Sequence, residues 1–209
     1  TDHINQSVSL LNKVPYSRLF DEIMKLFLTG HAVKSNILFK EFQLADKYFP
    51  ALLCEESYEF INQGLINTDL RISNNKSINP GFLLAVFLWP EVKLAWGKNI
   101  KKIHHSTALN EAIDNTLHKQ SIIFPIQKRF AITMSEIWRL QPRFENLNPK
   151  RIYRLSGHPR FRAGYDFLLL RSSQDEKIKI TASWWTNYIG ADEDTKNKLI
   201  QQRNLKKNA

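Results

Sequence analysis

The chain has 209 residues, and its 30 Lys plus Arg against 20 Asp plus Glu leave a formal charge of +10. A hydrophobic content of 43% supports a buried core and excludes wholesale disorder. The single cysteine, Cys54, excludes a disulfide framework or a several-thiolate zinc site and fits a reducing, cytoplasmic setting. No stretch reaches the roughly 18 apolar residues of a membrane span. No cleavable signal is visible, and Thr1 stands almost inside a helical pattern, so the chain is expected to begin mid-protein.

The hydrophobic period is helical nearly everywhere. A first helix is predicted over Ile4 to Val14, stopping before Pro15. Ser17 is the expected N-cap of a second, with Leu19, Ile23, Leu26 and Phe27 on one face and Gly30 at its end. A third covers Val33 to Phe42. Pro50 opens a helix through Leu53, Tyr58 and Ile61 to Gly64, continued by Leu65 to Ile72, and Ser73 to Lys76 form a loop. Asn79 and Pro80 start a very apolar helix, Phe82 to Trp89, which is buried and stops at Pro90. Leu109, Ile113 and Leu117 mark another helix, ending near Phe124.

After Pro125 a long helix points Ile126, Phe130, Met134 and Ile137 inward, and Pro142 should break or kink it. Asn148-Pro149 and His158-Pro159 are two cap-plus-proline starts, predicting two short arginine-bearing helices. Lys177 to Ile180 alternates over too few residues for a strand. A last helix carries Trp184, Trp185 and Tyr188, and the polar tail after Gly190 is expected to be frayed. The fold class is all-α, a bundle of antiparallel helices with a basic C-terminal helical subdomain.

The charge is concentrated. Residues 1–124 hold 13 basic and 12 acidic side chains, and residues 163–209 hold eight and six. Between them, residues 125–162 hold nine basic (Lys128, Arg129, Arg139, Arg143, Lys150, Arg151, Arg154, Arg160, Arg162) and two acidic, a net of +7. Seven of these nine are arginines, whose planar guanidinium grips a phosphate at two points and stacks on a base. Phe130, Trp138, Phe144, Tyr153, Phe161 and Tyr165 are interleaved with them, a combination suited to single-stranded nucleic acid. Two plainer readings stand beside this one. Long basic side chains commonly form solvated helix faces, with Arg162 able to pair with Asp166. The aromatics also fall mostly at core spacing. A membrane surface fits less well, since the segment has no single broad apolar face.

Catalytic chemistry is not evident. The seven glycines are scattered, so none forms a phosphate-cradling loop. His104, His105 and His118 lack acidic or thiolate companions at ligand spacing. Asp192 and Asp194 have a magnesium-compatible spacing but lie in a polar tail. Cys54, beside Glu55 and Glu56, lacks the cationic surroundings of a reactive thiolate.

Ile137-Trp138-Arg139-Leu140-Gln141, Pro149-Lys150-Arg151, His158-Pro159-Arg160-Phe161-Arg162-Ala163 and Tyr165-Asp166-Phe167-Leu168-Leu169-Leu170-Arg171 occur in that order. Together they resemble the C-terminal region of bacterial poly(A) polymerases. These are class II nucleotidyltransferases, a group that also includes the tRNA CCA-adding enzymes. Ser17-Arg18-Leu19-Phe20-Asp21-Glu22 resembles the family's neck motif, and Asn67-Thr68-Asp69-Leu70-Arg71-Ile72 and Asn79-Pro80-Gly81-Phe82-Leu83 its body domain.

The resemblance implies neck-remnant helices at 1–30, a helical body at 31–124, a basic RNA-binding subdomain at 125–190 and a disordered tail at 191–209. Arg18 and Glu22 would brace the neck, and the nine cations of 125–162 would contact the RNA backbone. No catalytic or metal-binding residue, and no cofactor, is assigned to this stretch. The family's catalytic head, with ATP and magnesium, would precede it, acting in cis on single-stranded RNA 3′ ends in the cytoplasm. A stand-alone helical RNA-binding module, the tail of a CCA-adding enzyme and a non-nucleic-acid adaptor are the alternatives.

Overall fold

The computed structural model describes residues 9–100 and 104–208, and among them there are eleven α-helices and no strand. They are α1 (Tyr16–Phe27), α2 (Ala32–Glu41), α3 (Leu44–Tyr48), α4 (Tyr58–Ser73), α5 (Pro80–Asn99), α6 (His105–Ile123), α7 (Lys128–Glu145), α8 (Pro149–Ser156), α9 (Phe161–Ser172), α10 (Glu176–Gly190) and α11 (Glu193–Asn208). Short 3-10 helices occupy Ser9–Lys13, Pro50–Leu53 and Glu55–Ser57. The protein is an all-α bundle. None of the described helices is long and apolar enough to cross a membrane.

The chain divides into two compact units, residues 1–135 and 136–209. The division falls inside α7, later than the 124/125 boundary expected from the charge. The first turn of α7 belongs to the first unit, because the Phe130 ring stacks on Phe20 at 5.7 Å. Leu140 and Phe144 belong to the core of the second.

In the first unit the core is a connected series of rings. Phe27 meets Phe39 at 5.5 Å and Phe87 at 5.0 Å, Phe87 meets Phe49 at 5.8 Å, and Phe49 meets Phe124 at 5.8 Å. Each edge or tilted pair adds about 0.5–1.5 kcal/mol beyond the area it buries. The start of α2 is capped from a distance. Its own preceding residue, His31, makes no side-chain cap bond, and Asp69 of α4 accepts from Ala32 N at 2.6 Å and Val33 N at 3.2 Å. A carboxylate there satisfies two orphan amides and complements the positive end of the helix dipole.

Several predicted elements take a different form. The helix expected at Ile4 to Val14 lies partly outside the described residues, and its described part, Ser9–Lys13, is 3-10. Helix α1 starts at Tyr16 directly after Pro15, so Ser17 is inside it and does not cap it. Gly30, with φ +89°, turns the chain into α2. Gln43, with φ 57°, starts the short α3, which the hydrophobic period did not show. Pro50 opens a 3-10 turn only, because the extended backbone of Cys54 separates it from α4.

Neither Pro90 nor Pro142 ends its helix. An interior proline costs about 3 kcal/mol. Around Pro90 every side chain from Leu83 to Pro90 is buried, which outweighs that cost at about 1.5–3 kcal/mol for each large apolar side chain. Pro142 lies in the last turn of α7, where it forgoes its own N–H bond but leaves only three helical residues beyond it to be disturbed. The ambiguous Lys177 to Ile180 segment is helical, opened by the Asp175 carboxylate accepting from Lys177 N and Ile178 N. The expected disordered tail is the helix α11. Asp192 caps it by accepting from Thr195 N at 2.8 Å, and Ile200 anchors it in the core of the second unit.

Asp69→Ala leaves the Ala32 and Val33 amides without their carboxylate. Denaturant unfolding should show about 1–2 kcal/mol lost. Asp69→Asn, which retains an acceptor, should lose less.

Candidate nucleic-acid interface

Seven of the nine cations of the basic segment are carried by the second half of α7, by α8 and by the residues at the start of α9, in a unit whose core is centred on Trp185. Trp185 is wholly buried, and its indole N–H donates to the Phe144 carbonyl at 3.0 Å, near the end of α7 where carbonyls lack helical partners. Its ring meets Phe144, Phe161 and Tyr188 at 5.3–5.5 Å. The buried Gln141 amide donates to the carbonyls of Ile137 (2.9 Å) and Gly164 (3.2 Å), tying α7 to α9. The Phe144 ring edge and a Leu140 methyl come so close to Gly164 that an added Cβ would lie 2.9 Å from each.

Arg171, outside the segment singled out by charge, is largely buried. Its side chain is 12% exposed, and its guanidinium donates to Gln141 Oε1 at 3.2 Å and pairs with Glu145 at 3.1 Å. Burial pulls its pKa below the ordinary arginine value, and Glu145 opposes that pull. Its role is to lock α9 to α7.

The nine sequence-nominated cations separate into groups. Lys128 and Arg129 are exposed and fall in the first unit, with the Arg129 guanidinium 4.6 Å from the centre of the Phe130 ring. The other seven fall in the second. Arg139 and Arg143 are exposed one turn apart on α7, sharing one face. Arg160 is half-buried and bonded to Glu136 at 2.9 Å, and Arg162 pairs with Asp166 at 3.0 Å and lies 5.7 Å from the Tyr165 ring. Lys150, Arg151 and Arg154 differ from these. They lie together on the eight-residue α8, all exposed, and no described residue forms a salt bridge with any of them.

Helix α8 is built for that display. Asn148 caps it by accepting from Lys150 N at 3.2 Å, and Pro149 supplies its first position. Only Ile152 and Leu155 of this helix are buried. Of the six interleaved aromatics, Trp138, Phe144 and Tyr165 are buried and Phe130 and Phe161 are partly so. Tyr153 is the exposed one. Its hydroxyl donates to Asn197 Oδ1 of α11 at 3.1 Å. Asn197 was not nominated from sequence. Leu199 and Ile200, the apolar pair that seats α11, were the signal that this stretch folds back.

The proposed neck pair does not meet directly. Glu22 bonds Lys25 at 2.8 Å, and this bond, with the more distant charge of Arg18 as a smaller contribution, holds its carboxyl below the usual range. Arg18 is exposed. Among the described residues no group of three His, Cys, Asp or Glu is placed to hold a metal ion, and Asp192 is committed to capping Thr195.

Residues 101–209 match the family model described as the polymerase A arginine-rich C-terminus. The chain belongs to that family. Residues 2–55 match a second model, described as a probable RNA and SrmB-binding site of polymerase A. Proteins named poly(A) polymerase I are similar to it. The one from Haemophilus influenzae is 32% identical over 96% of this chain and 46% of its own length. That of Escherichia coli O157:H7 is 31% identical over 94% and 45%, and that of Salmonella typhi 31% over 88% and 42%. The chain thus spans less than half the length of these relatives. As an arginine-rich C-terminus it holds Arg160, Arg162 and Arg171 in ion pairs, while Arg151 and Arg154 on α8 are exposed.

Replacing Arg171 with Ala removes the charged hydrogen bonds to Gln141 and Glu145. The expected loss is about 2 kcal/mol in denaturant unfolding, and Arg162→Ala, at an exposed pair, should cost less than about 1 kcal/mol.

Proposed function

We propose that this chain is the RNA-holding C-terminal part of a bacterial poly(A) polymerase. In this reading the catalytic head belongs to the remaining half of the parent. With ATP and magnesium, the head adds AMP to RNA 3′ ends, releases pyrophosphate and builds a tail that promotes decay in the cytoplasm. The chain supplies no catalytic residue. Its work is to keep the RNA backbone near the head.

The observation that carries the proposal is the display of Lys150, Arg151 and Arg154 on α8, with no acidic residue in 149–156. A template-free polymerase requires contacts that ignore sequence and let the product slide, and phosphate pairing has both properties. Arg139 and Arg143 extend the set of exposed arginines in the same unit. Residues 2–55, where the second family model lies, hold six basic and six acidic side chains. Phosphate neutralisation is therefore weaker there than in 125–162. Arg18 and Glu22 are assigned to bracing.

Binding to a single-stranded oligoadenylate across a salt series tests this directly. Affinity should fall steeply with salt, and Arg151→Ala/Arg154→Ala should reduce the log–log slope by about one to two. Salt-independent binding, or a preference for folded tRNA over single-stranded 3′ ends, would contradict the proposal.

A further inference from the structure

We infer that Tyr153, held by Asn197, is a stacking platform for one nucleobase of single-stranded RNA at the seam of α8 and α11. The inference rests on the RNA-binding reading above and adds to it a contact to a base, where that reading has contacts to phosphate only.

Tyr153 is 54% exposed although it lies in a segment whose other aromatics are wholly or partly buried. On a helix an exposed tyrosine ordinarily samples several rotamers. Here the ring is fixed at both ends. Its backbone belongs to α8, seated by Ile152 and Leu155, and its hydroxyl is bonded to Asn197 of α11, seated by Ile200. A ring that is both exposed and immobilised has already lost the conformational entropy that stacking would otherwise cost. Packing does not require the exposure, since the core of this unit closes beneath α8 without the Tyr153 ring.

The surrounding charge selects the partner. Lys150 precedes Tyr153 by one turn and Arg154 follows it directly, so a base on the ring would have its flanking phosphates beside two cations. The acids of the facing helix, Asp194 and Glu193, lie three and four residues before Asn197, and Glu193 is paired with Lys196 at 2.8 Å. Asn197 uses its carbonyl oxygen on Tyr153, which leaves its amide nitrogen to donate to a base or sugar oxygen. An aromatic face among cations takes any base, since every base has a π-face. A product that must slide calls for this tolerance.

The test compares the full chain with Tyr153→Leu and Tyr153→Phe, using a 12-nucleotide oligoadenylate and an abasic strand of the same length. Leucine keeps apolar bulk without a π-face, and phenylalanine keeps the ring without the bond to Asn197. Tyr153→Leu should weaken oligoadenylate binding about 5- to 100-fold, leave abasic binding unchanged and keep the salt slope. Tyr153→Phe should retain most of the affinity. If Tyr153→Leu binds both strands as the parent does, the platform is refuted and the phosphate-holding reading stands. If Tyr153→Phe falls as far as Tyr153→Leu, the residue acts as a tie to α11 and the inference is also refuted. A parent chain that binds neither strand overturns both readings together.

Discussion

The Trp185 indole bonded to the Phe144 carbonyl is the contact on which the second unit depends. That carbonyl is among the last of α7, where the helix offers no internal partner and burial without one would cost about 1–3 kcal/mol. Trp185 satisfies it from 41 residues away while filling the space between Phe144, Phe161 and Tyr188. One turn earlier Gln141 spans to Gly164, and Arg171 returns from the end of α9 to Gln141 and Glu145. The end of α7 is therefore held by side chains of α9 and α10. Helix α8, with two buried side chains of its own, can then project three cations without contributing to the lock.

This separation explains why an arginine-rich sequence need not be a uniform binding face. Arg171 is committed to the interior, and Arg160 and Arg162 to acidic neighbours. Each pairing fixes a helix start or end at modest energetic gain. The arginines on α8 have no such duty. Their desolvation cost is small because they remain in water, and under the proposed RNA-holding role a phosphate would exchange there with solvent counterions as the strand moves.

Much of this was legible in the sequence. Asn79 and Asn148 before their prolines marked two helix starts correctly, because a short acceptor and a fixed φ act locally. The excess charge of 125–162 found α8. Non-local effects were not visible. Pro90 stays helical because the burial around it outweighs the lost bond, and burial is a property of the fold. His158-Pro159 forms a turn, in which His158 Nδ1 accepts from Arg160 N, and α9 begins only at Phe161. The polar tail folds because Ile200 finds a core and Asp192 a cap. The contribution of Asp69 could be seen only once α2 and α4 were adjacent. Tyr153 was nominated with five other aromatics, and only burial distinguishes it from them.

Hydrogen exchange of the full chain, with and without saturating oligoadenylate, is the most direct test of the claim that α8 and its neighbours hold the RNA. The account predicts added protection in α8 and the adjoining part of α11, with residues 9–55 unchanged. RNA-dependent protection confined to 9–55 with α8 unaltered would contradict it.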